Sequence, residues 1–417
     1  MFFIYSTLYT IVVLILLLPE YLKRPPGLRP RWLREKFGSL TEAASSIWVH
    51  AVSVGEVGAS IGLLRRLKSE YPDSTLVLST ITDTGQKVAA ERVPAGTRVV
   101  YLPFDAGFIL TGSIRRLRPR AFVVVETELW PNTFRVLSES GIPVIVVNGR
   151  ISEKSSKGYR RISFFMKRVF SFVRCFGMQG EVDAARLIEI GAPKDKVIVT
   201  GNFKFDMKMP EKIPSWAGPA GGPVIVAGST HSGEEEIIIA AYRENRERFP
   251  GLRLILAPRH PERFGEVEEL LKSSGISYRK RSDLGDASHE AVGDAGIILL
   301  DTVGELSAVY GAADIAVIGK SFLGTGGQNP LEPAYWSKPV ICVPHMENFP
   351  FIEEFYREGA AFEVDRNTLA KKIKELLLAP GSAQAAGAKA RELFMRNSGG
   401  VERAMELIKG FIDPAAS

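Results

Sequence analysis

The stretch that decides the fold reads Ile47-Trp-Val-His-Ala-Val-Ser-Val-Gly-Glu56. Residues 47–54 are mostly β-branched or apolar, which predicts a buried parallel strand. From Val57 to residue 69 apolar side chains recur at helical spacing, which predicts a helix. Glu56 therefore lies at the carboxyl end of a strand and at the beginning of a helix, where open α/β sheets bind ligands. A glutamate there also complements the helix dipole, and the sequence leaves both roles open.

Outward from this stretch, the chain alternates predicted strands and helices, a pattern typical of doubly wound parallel sheets. The strands predicted in the first half are 75–81, 97–102, 120–125, 143–148, 173–179 and 197–200. Residues 207–222 are rich in Pro and Gly without an apolar period, which indicates a linker. The strands predicted in the second half are 223–228, 252–257, 296–300, 314–318 and 339–343. The expected fold is α/β, with two Rossmann-like domains facing each other across a cleft.

The N-terminal region differs from the rest. Residues 2–18 carry no charge and would span about 26 Å as a helix, just short of a hydrocarbon core of about 30 Å. We therefore expect a retained membrane anchor over 1–22, which either crosses the bilayer or lies in its interface. The basic segment 23–45 places the remainder of the chain on the cytoplasmic side. Its Trp32 and Phe37 are expected at a surface that contacts anionic headgroups, or else in a solvated linker.

Composition narrows the class of function. The chain has 417 residues, 45% of them hydrophobic and 24% charged, as in a globular protein with two cores. A net charge of +6 suits acidic substrates or a membrane surface, and the absence of a long basic run argues against nucleic acid. Two cysteines and five scattered histidines lack metal-ligand spacing, so no structural metal is expected. Neither half has a dinucleotide or Walker phosphate motif after its first strand, so we expect neither cofactor.

Three motifs end predicted strands of the first half. Glu126-Thr-Glu-Leu-Trp-Pro-Asn132 follows strand 120–125, and its two acids, two residues apart, point to different faces instead of forming a glycosidase-type pair. One acid is expected to face the cleft while the other caps the next helix. Asn148-Gly-Arg150 ends a second strand. Lys204, flanked by two phenylalanines at the linker, is expected to have a fixed role near the cleft.

The second half has four comparable motifs. Ser232 and Glu235 match a capping box, although the same amides could bind a phosphate. Pro258-Arg259 places an arginine at a strand end, suited to a phosphate or carboxylate. Val303-Gly304-Glu305 opens a helix. A glycine-rich loop over 319–328 precedes Asn329-Pro-Leu-Glu332, which favours a ligand site where Glu332 accepts hydrogen bonds from ribose hydroxyls.

Taken together, the motifs resemble those of the 3-deoxy-D-manno-octulosonic acid (Kdo) transferases. The resemblance runs from the anchor to the last helices and is carried by 50–56, 126–132, 204–206, 258–264 and 329–333. It implies a GT-B fold, CMP-Kdo as donor and a lipid A precursor (lipid IVA) as acceptor at the cytoplasmic face of the bacterial inner membrane. It also implies an inverting transfer without a metal ion or cofactor. Domain 46–206 would bind the acceptor and domain 223–417 the donor.

The resemblance also implies roles for single residues. Glu56 would be the general base, with Glu126 and Lys204 acting at the transition state. The CMP-binding residues would be Pro258, Arg259, Val303, Gly304, Glu305, Asn329, Pro330, Leu331 and Glu332. Gln328 and Lys320 depart from the family pattern, which often has His and Gly there. The alternatives are a GT-B enzyme that uses a nucleoside diphosphate sugar and a membrane-tethered nucleotide-binding regulator.

Overall fold

The computed structural model describes residues 1–218, 221–285, 295–320, 322–324 and 326–413. Residues 219 and 220 of the expected linker, and 321 and 325 of the expected glycine-rich loop, lie outside the described residues. The chain forms two compact units, the first made of residues 1–207 and 397 onwards and the second of residues 208–396. Each unit contains one seven-stranded sheet in which every described pairing is parallel. The α/β fold class predicted from the alternating pattern is confirmed.

The strands and helices of the first unit follow the predicted alternation. Its strands are β1 (Ser46–His50), β2 (Thr75–Thr80), β3 (Arg98–Tyr101), β4 (Pro119–Val125), β5 (Val144–Gly149), β6 (Cys175–Met178) and β7 (Val197–Val199). Its helices are α1 (Phe2–Lys23), α2 (Arg29–Lys36), α3 (Val54–Glu70), α4 (Asp83–Arg92), α5 (Gly107–Leu117), α6 (Pro131–Glu139), α7 (Glu153–Arg160), α8 (Ser163–Ser171) and α9 (Glu181–Ile190), joined by the last helix of the chain.

The second unit repeats the scheme. Its strands are β8 (Val224–Thr230), β9 (Arg253–Pro258), β10 (Tyr278–Lys280), β11 (Ile297–Leu299), β12 (Ile315–Ile318), β13 (Val340–Cys342) and β14 (Ala361–Glu363). Its helices are α10 (Glu234–Arg248), α11 (Phe264–Ser274), α12 (Leu306–Val309), α13 (Leu331–Tyr335), α14 (Ile352–Arg357), α15 (Leu369–Leu378) and α16 (Pro380–Asn397). The last described element is α17 (Gly400–Ile412), which belongs to the first unit.

The strand order shows where the chain changes the direction in which it adds strands to each sheet, which we call the reversal point. The first sheet runs β3-β2-β1-β4-β5-β6-β7, so the chain moves one way from β1 and the other way from β4. The second runs β10-β11-β9-β8-β12-β13-β14, with the equivalent reversal between β8 and β12. Loops at the carboxyl ends of these strands diverge to opposite faces and leave a crevice that binds ligands in this class of sheet.

The strands are apolar on both faces because helices cover both sides of each sheet. Along β1, Ile47 and Val49 belong to one buried cluster and Trp48 to the cluster on the opposite face. Each such side chain contributes about 1.5–3 kcal/mol when it leaves water. This double burial keeps the strand ends in register, so the polar residues that come after them have defined positions.

Two expectations about the first unit need correction at its edges. The strand expected over 47–54 ends at His50, because the Ser53 hydroxyl accepts a hydrogen bond from Glu56 N and α3 begins at Val54. Trp32 is not at a headgroup-facing surface: it is 2% exposed and packs edge-on against Phe104. Residues 29–36 form a helix that turns Trp32 inward, while Phe37 stays exposed.

The last helix corrects the expected domain boundary. The sequence pattern placed α17 in the second domain, 223–417, yet its Val401, Met405 and Ile408 join the buried cluster on the α3 side of the first sheet. Arg66 of α3 also forms a two-pronged ion pair with Glu402, at 2.9 and 2.8 Å. Local periodicity predicts the helix but does not say which sheet its apolar face covers, because that depends on a contact between distant segments.

Candidate active site

Glu56 lies in the first turn of α3, which follows β1 at the reversal point of the first sheet. Its Oε2 accepts from Val52 N at 2.7 Å and its Oε1 accepts from the Ser53 hydroxyl at 2.9 Å. Ser53 Oγ in turn accepts from Glu56 N, so Ser53 is the N-cap of α3 and the Glu56 side chain returns to the residue before it, a variant of the capping box. The carboxylate is therefore fixed in orientation. Since a carboxylate offers about four lone-pair positions, these bonds leave it able to accept a further hydrogen bond.

Two neighbouring strands end in strained backbone. Glu126, after β4, has φ +64° and Asn148, in β5, has φ +53°, both in the left-handed region that side chains other than glycine rarely occupy. Such residues cluster at functional sites because the surrounding structure must hold them there. Asn148 Oδ1 accepts from Phe203 N at 3.0 Å and so fixes the short turn Phe203–Asp206 that carries Lys204.

Charged groups from these loops act on one another. Burial raises the pKa of Glu126, and so does the nearby Glu56, whereas Lys204 and Arg150 lower it. Burial also lowers the pKa of the Lys204 ammonium, while the Glu126 charge opposes that change. The first unit therefore brings its three predicted site residues together at one edge of its sheet.

Glu128 is a member of this cluster that the sequence did not single out. Burial, then the charges of Glu56 and Glu126, raises its pKa to about 7. The expectation that one acid of the pair caps the next helix was wrong, because Asp105 accepts from the backbone N–H groups of Asn132 and Thr133 at the start of α6. The motif could have identified Glu128, because it has a second acidic residue close to the strand end.

Arg150 and Asp183 also belong here. Arg150 N donates to the Thr127 hydroxyl at 2.8 Å, and Asp183 Oδ1 accepts from Ile151 N at 2.8 Å. Burial raises the pKa of Asp183, which acts on Glu126 as a further negative charge. The sequence analysis named Arg150 but assigned it no role. It did not identify Asp183, because this residue lies in none of the motifs that follow strands.

His50 takes no part as an acid or base. It is fully buried at the end of β1, and its Nδ1 lies 3.0 Å from Ser79 O. Burial lowers its pKa to about 3, so the ring is neutral at physiological pH. The histidine that opens the motif is therefore part of the core.

The second unit also has residues other than glycine with left-handed backbone, and they lie at its reversal point. Ser229, in β8, and Lys320, after β12, both have φ +56°. Here the nearby acid Glu234 is wholly buried and accepts from the backbone N–H groups of His231, Lys320 and Phe322 at 2.9, 2.7 and 2.8 Å. Glu234 therefore ties the beginning of the glycine-rich loop to the first turn of α10.

This arrangement replaces the predicted capping box. Glu235 does not cap α10 with Ser232; it accepts from the Thr230 hydroxyl at 2.7 Å and from both terminal nitrogens of Arg263, at 2.8 and 3.2 Å. Ser232 Oγ donates to Glu266 instead. Helix α10 begins after Gly233 without a side-chain cap, Glu234 accepts from His231 N, and Glu235 pairs with the half-buried Arg263.

Arg259, Asn329 and Glu332 also come together in the second unit. Burial raises the pKa of Glu332 to about 7, although Asn329 and Arg259 lower it. Arg259 is exposed, and its backbone N–H donates to Thr230 O at 3.0 Å. Pro258, Pro330 and Leu331 are buried, so they shape the backbone and do not offer side chains to a ligand.

The turn at 303–305 is only partly available to a ligand. Glu305 accepts from Trp216 Nε1, Arg281 Nε and the Thr302 hydroxyl at 3.1, 2.9 and 2.6 Å. Its carboxylate is thus used within the second unit. Val303 is exposed and Gly304 has φ +94°, so this turn presents backbone and one apolar side chain. Within the described ranges, no three His, Cys, Asp or Glu residues are grouped as metal ligands.

Comparisons with known proteins point to one family. The family described as "3-Deoxy-D-manno-octulosonic-acid transferase (kdotransferase)" matches residues 31–207. A 3-deoxy-D-manno-octulosonic acid transferase of Haemophilus influenzae is 35% identical, over 94% of this chain and 93% of that protein. The Bordetella pertussis protein of the same name is 31% identical, over 88% of each chain.

Among solved structures, the calicheamicin glycosyltransferase CalG4 is similar with a TM-score of 0.53. The two share 12% identity, and the match covers 90% of this chain and 100% of CalG4. At that identity the likeness concerns the fold alone. Together with the two parallel sheets, it identifies the fold as GT-B.

Proposed function

This chain belongs to the 3-deoxy-D-manno-octulosonic acid transferase family and is a glycosyltransferase, and we propose that it moves Kdo from CMP-Kdo to lipid IVA, a lipid A precursor. The proposed transfer inverts the anomeric centre and needs no metal ion. The observation that supports it best is the cluster of Glu56, Glu126 and Lys204 at the reversal point of the first sheet.

Glu56 is the proposed general base. A sugar hydroxyl is a poor nucleophile at neutral pH, so a positioned carboxylate must take its proton as the new bond forms. The hydroxyl oxygen attacks the anomeric carbon, the bond from that carbon to the phosphate oxygen of CMP breaks, and CMP leaves with the electron pair. The two hydrogen bonds from Val52 N and Ser53 Oγ hold the carboxylate in one orientation for this step.

Glu126 and Lys204 are the proposed transition-state residues. Positive charge develops on the anomeric carbon while negative charge develops on the departing phosphate, and preorganised charges of opposite sign stabilise both. Glu126 supplies a half-buried negative charge on a residue with left-handed backbone, and Lys204 supplies a half-buried positive one. Each has the other as a charged neighbour before substrate arrives.

The second unit is the proposed CMP-binding unit. The exposed Arg259 guanidinium suits the phosphate, and Asn329 and Glu332 suit the ribose hydroxyls. Pro258, Val303, Gly304, Glu305, Pro330 and Leu331 would complete the nucleotide site by shaping its backbone. The enzyme is proposed to work at the cytoplasmic face of the inner membrane, attached through residues 2–18, where its lipid acceptor is found. Helix α1 is long and apolar enough to interact with a bilayer.

The deciding experiment compares Glu56→Gln with the unchanged chain. Purified protein would receive in-situ generated CMP-Kdo and tetraacyl lipid A precursor, with EDTA present, and product mass would be read directly. We expect a mass increase of one or more Kdo units from the unchanged chain and a loss of at least about 10²-fold in rate from Glu56→Gln. Glu91→Gln, on the exposed side of α4, is the matched control.

Two results would contradict the proposal. If folded Glu56→Gln transferred Kdo at nearly the rate of the unchanged chain, Glu56 would not be the base. If the unchanged chain formed no product from CMP-Kdo but did so from a nucleoside diphosphate sugar, the donor would be wrong.

A further inference from the structure

One face of α1 contacts the first unit along the whole helix. Its half-buried residues recur every three or four positions, as one face of a helix does. They are Phe2, Tyr5, Ser6, Tyr9, Val13, Leu17, Glu20 and Tyr21. Phe2 packs against Phe165 and Phe172, while the later apolar members join the buried cluster around Trp32.

Polar bonds hold the first half of this face. The Tyr5 hydroxyl donates to Asp105 Oδ2 at 2.8 Å, and the Tyr9 hydroxyl accepts from Asp105 N at 3.0 Å. Asn132 Nδ2 donates to the Ser6 hydroxyl at 2.9 Å and to Asp105 O at 2.8 Å. Because Asp105 and Asn132 are fully buried, breaking these bonds would leave polar groups unsatisfied inside the unit.

The other end of the helix is held as well. Arg24, the residue after α1, forms an ion pair with Asp83 at 3.0 Å and lies over the Trp32 ring. Tyr21 contacts the same ring. Both ends of a helix of about 33 Å, by its 22 residues, are therefore fixed to one folded unit.

The opposite face of α1 is apolar and exposed. Its large exposed residues are Phe3, Ile4, Leu8, Ile11, Val12, Leu14, Ile15, Leu16, Leu18 and Leu22. The hydroxyls of Thr7 and Thr10 on this face donate to Phe3 O and Ser6 O within the helix. Between residues 3 and 18, all of which the structure describes, this face therefore has no polar group left to resist a hydrocarbon environment.

The helices beside α1 extend this surface. Phe108 of α5 is 80% exposed, and its neighbour Ile109 joins the cluster under α1. Phe164 of α8 is 62% exposed, and its neighbour Phe165 contacts Phe2 and Tyr5. The same two helices carry exposed basic residues: Arg115, Arg116, Lys167 and Arg168. An apolar face flanked by cationic side chains matches a bilayer with anionic headgroups.

We propose that α1 lies in the plane of a single leaflet, half-embedded as a fixed part of the first unit, and does not cross the bilayer. A crossing helix would place residue 2 about 30 Å from Lys23 along the membrane normal. That would require either every contact of Phe2, Tyr5 and Tyr9 to break or the folded unit to enter the hydrocarbon. The in-plane arrangement keeps all of these contacts and still buries the exposed face.

This arrangement deepens the proposed membrane attachment and rests on it. Asn132, which holds α1, lies in the first turn of α6, immediately after the loop that carries Glu126 and Glu128, and Asp105 accepts from the first amides of that helix. The membrane helix and the carboxylate loop are therefore parts of one hydrogen-bonded structure. An in-plane α1 would hold that loop at the level of the lipid headgroups.

Membrane depth at three positions tests the proposal. Ile4→Cys, Ile11→Cys and Leu18→Cys lie seven residues apart on the exposed face and would carry a fluorescent label in the full chain. Labelled proteins would be mixed with vesicles of phosphatidylcholine and phosphatidylglycerol, and quenchers placed at known depths would locate each label. The two native cysteines are buried, so the unchanged chain measures background labelling.

The two geometries give different depth profiles. In-plane binding predicts one shallow depth for all three labels. A crossing helix predicts a deep label at residue 11 and labels about 21 Å apart along the normal at 4 and 18, near opposite surfaces. That profile, or labels that stay in water, would overturn the proposal. The vesicle mixture contains neither donor nor acceptor, so the result does not depend on whether the proposed transfer is correct.

A matched pair of variants tests the attachment to the unit. Tyr5→Phe removes only the hydroxyl that donates to Asp105, whereas Thr10→Val removes one that bonds within the helix. We expect faster amide hydrogen exchange in α1 of Tyr5→Phe, by about tenfold, and no change in Thr10→Val. Equal exchange in both variants would mean that the polar bonds do not hold α1 to the unit.

Discussion

The carboxyl edges of the two sheets both have residues with left-handed backbone, but the acidic side chains beside those residues have different surroundings. In each unit two neighbouring strands end in residues other than glycine with left-handed backbone, Glu126 and Asn148 in the first and Ser229 and Lys320 in the second. In the second unit the acid beside them, Glu234, accepts from three backbone N–H groups. In the first unit, burial and the charges of neighbouring carboxylates raise the pKa values of Glu126 and Glu128.

The difference separates an acid that holds the backbone from the acids of the proposed active site. A buried carboxylate surrounded by N–H donors has its charge compensated and holds the backbone in place. A carboxylate that is half-buried beside other carboxylates keeps an uncompensated tendency to take up a proton. Position near a strand end is common to Glu128 and Glu234, so their different donors and neighbouring charges account for the difference between these two acids.

The largest effect on stability is expected from replacing Glu234. Glu234→Ala removes the acceptor of three N–H groups and should destabilise the second unit by about 3–5 kcal/mol. Thermal unfolding and hydrogen exchange at the amides of Lys320 and Phe322 would measure it. Glu236→Ala, an exposed position on the same helical turn, is the control. Similar stability in the two variants would show that these amides find water or other partners without Glu234.

A smaller change in stability, which depends on pH, is expected when Glu128 of the first unit is replaced. The pKa of Glu128 is about 7 in the fold, against about 4.3 in an unfolded chain, so its ionisation costs stability as pH rises between those values. Glu128→Gln should therefore stabilise the protein by about 1–2 kcal/mol at pH 8, allowing for partial solvent screening, and hardly at all at pH 4.

The measurement is the difference in thermal unfolding between Glu128→Gln and the unchanged chain at several pH values. Glu139→Gln, exposed on α6, is the control and should show no such trend. A gain that is equal at pH 4 and pH 8 would mean that packing, and not the charge of Glu128, is responsible.

The smallest change in stability is expected when a residue with left-handed backbone is replaced by glycine, once in each unit. Glu126→Gly and Lys320→Gly each relieve a left-handed backbone and should each stabilise the chain by about 1 kcal/mol. Only the first should abolish Kdo transfer, since it alone removes a proposed transition-state charge. Thermal unfolding together with the product-mass assay would compare them. Loss of transfer in both variants would show that the assigned division between reactive and structural edges is wrong.

Local patterns predicted most elements and the places where they end. Alternating strands and helices, and polar motifs after strands, located Glu56, Glu126 and Lys204 at one sheet edge, because parallel strands all end at the same edge. The family resemblance was confirmed by the relatives. The roles assigned to single residues stay predictions.

Partners distant in the sequence were not predictable. Asp105 caps a helix that begins at Pro131, and α17 covers a sheet whose last strand ends at Val199. Trp32 is buried although it lies in a basic segment, because α1 and the Phe104 loop cover it. The capping box predicted for α10 is not formed, because Glu235 pairs with Arg263, a residue distant in the sequence.

The sequence by itself determined the α/β class, the family and the strand-end positions of the predicted site residues, because burial periodicity and motif spacing are local properties of the chain. Tertiary structure alone decided which acids are compensated, which sheet the last helix covers and how α1 is held. Those outcomes depend on donors, charges and apolar faces that meet only after folding. Glu128 and Glu234 illustrate the point: both come after strands, and only their folded surroundings give them different chemistry.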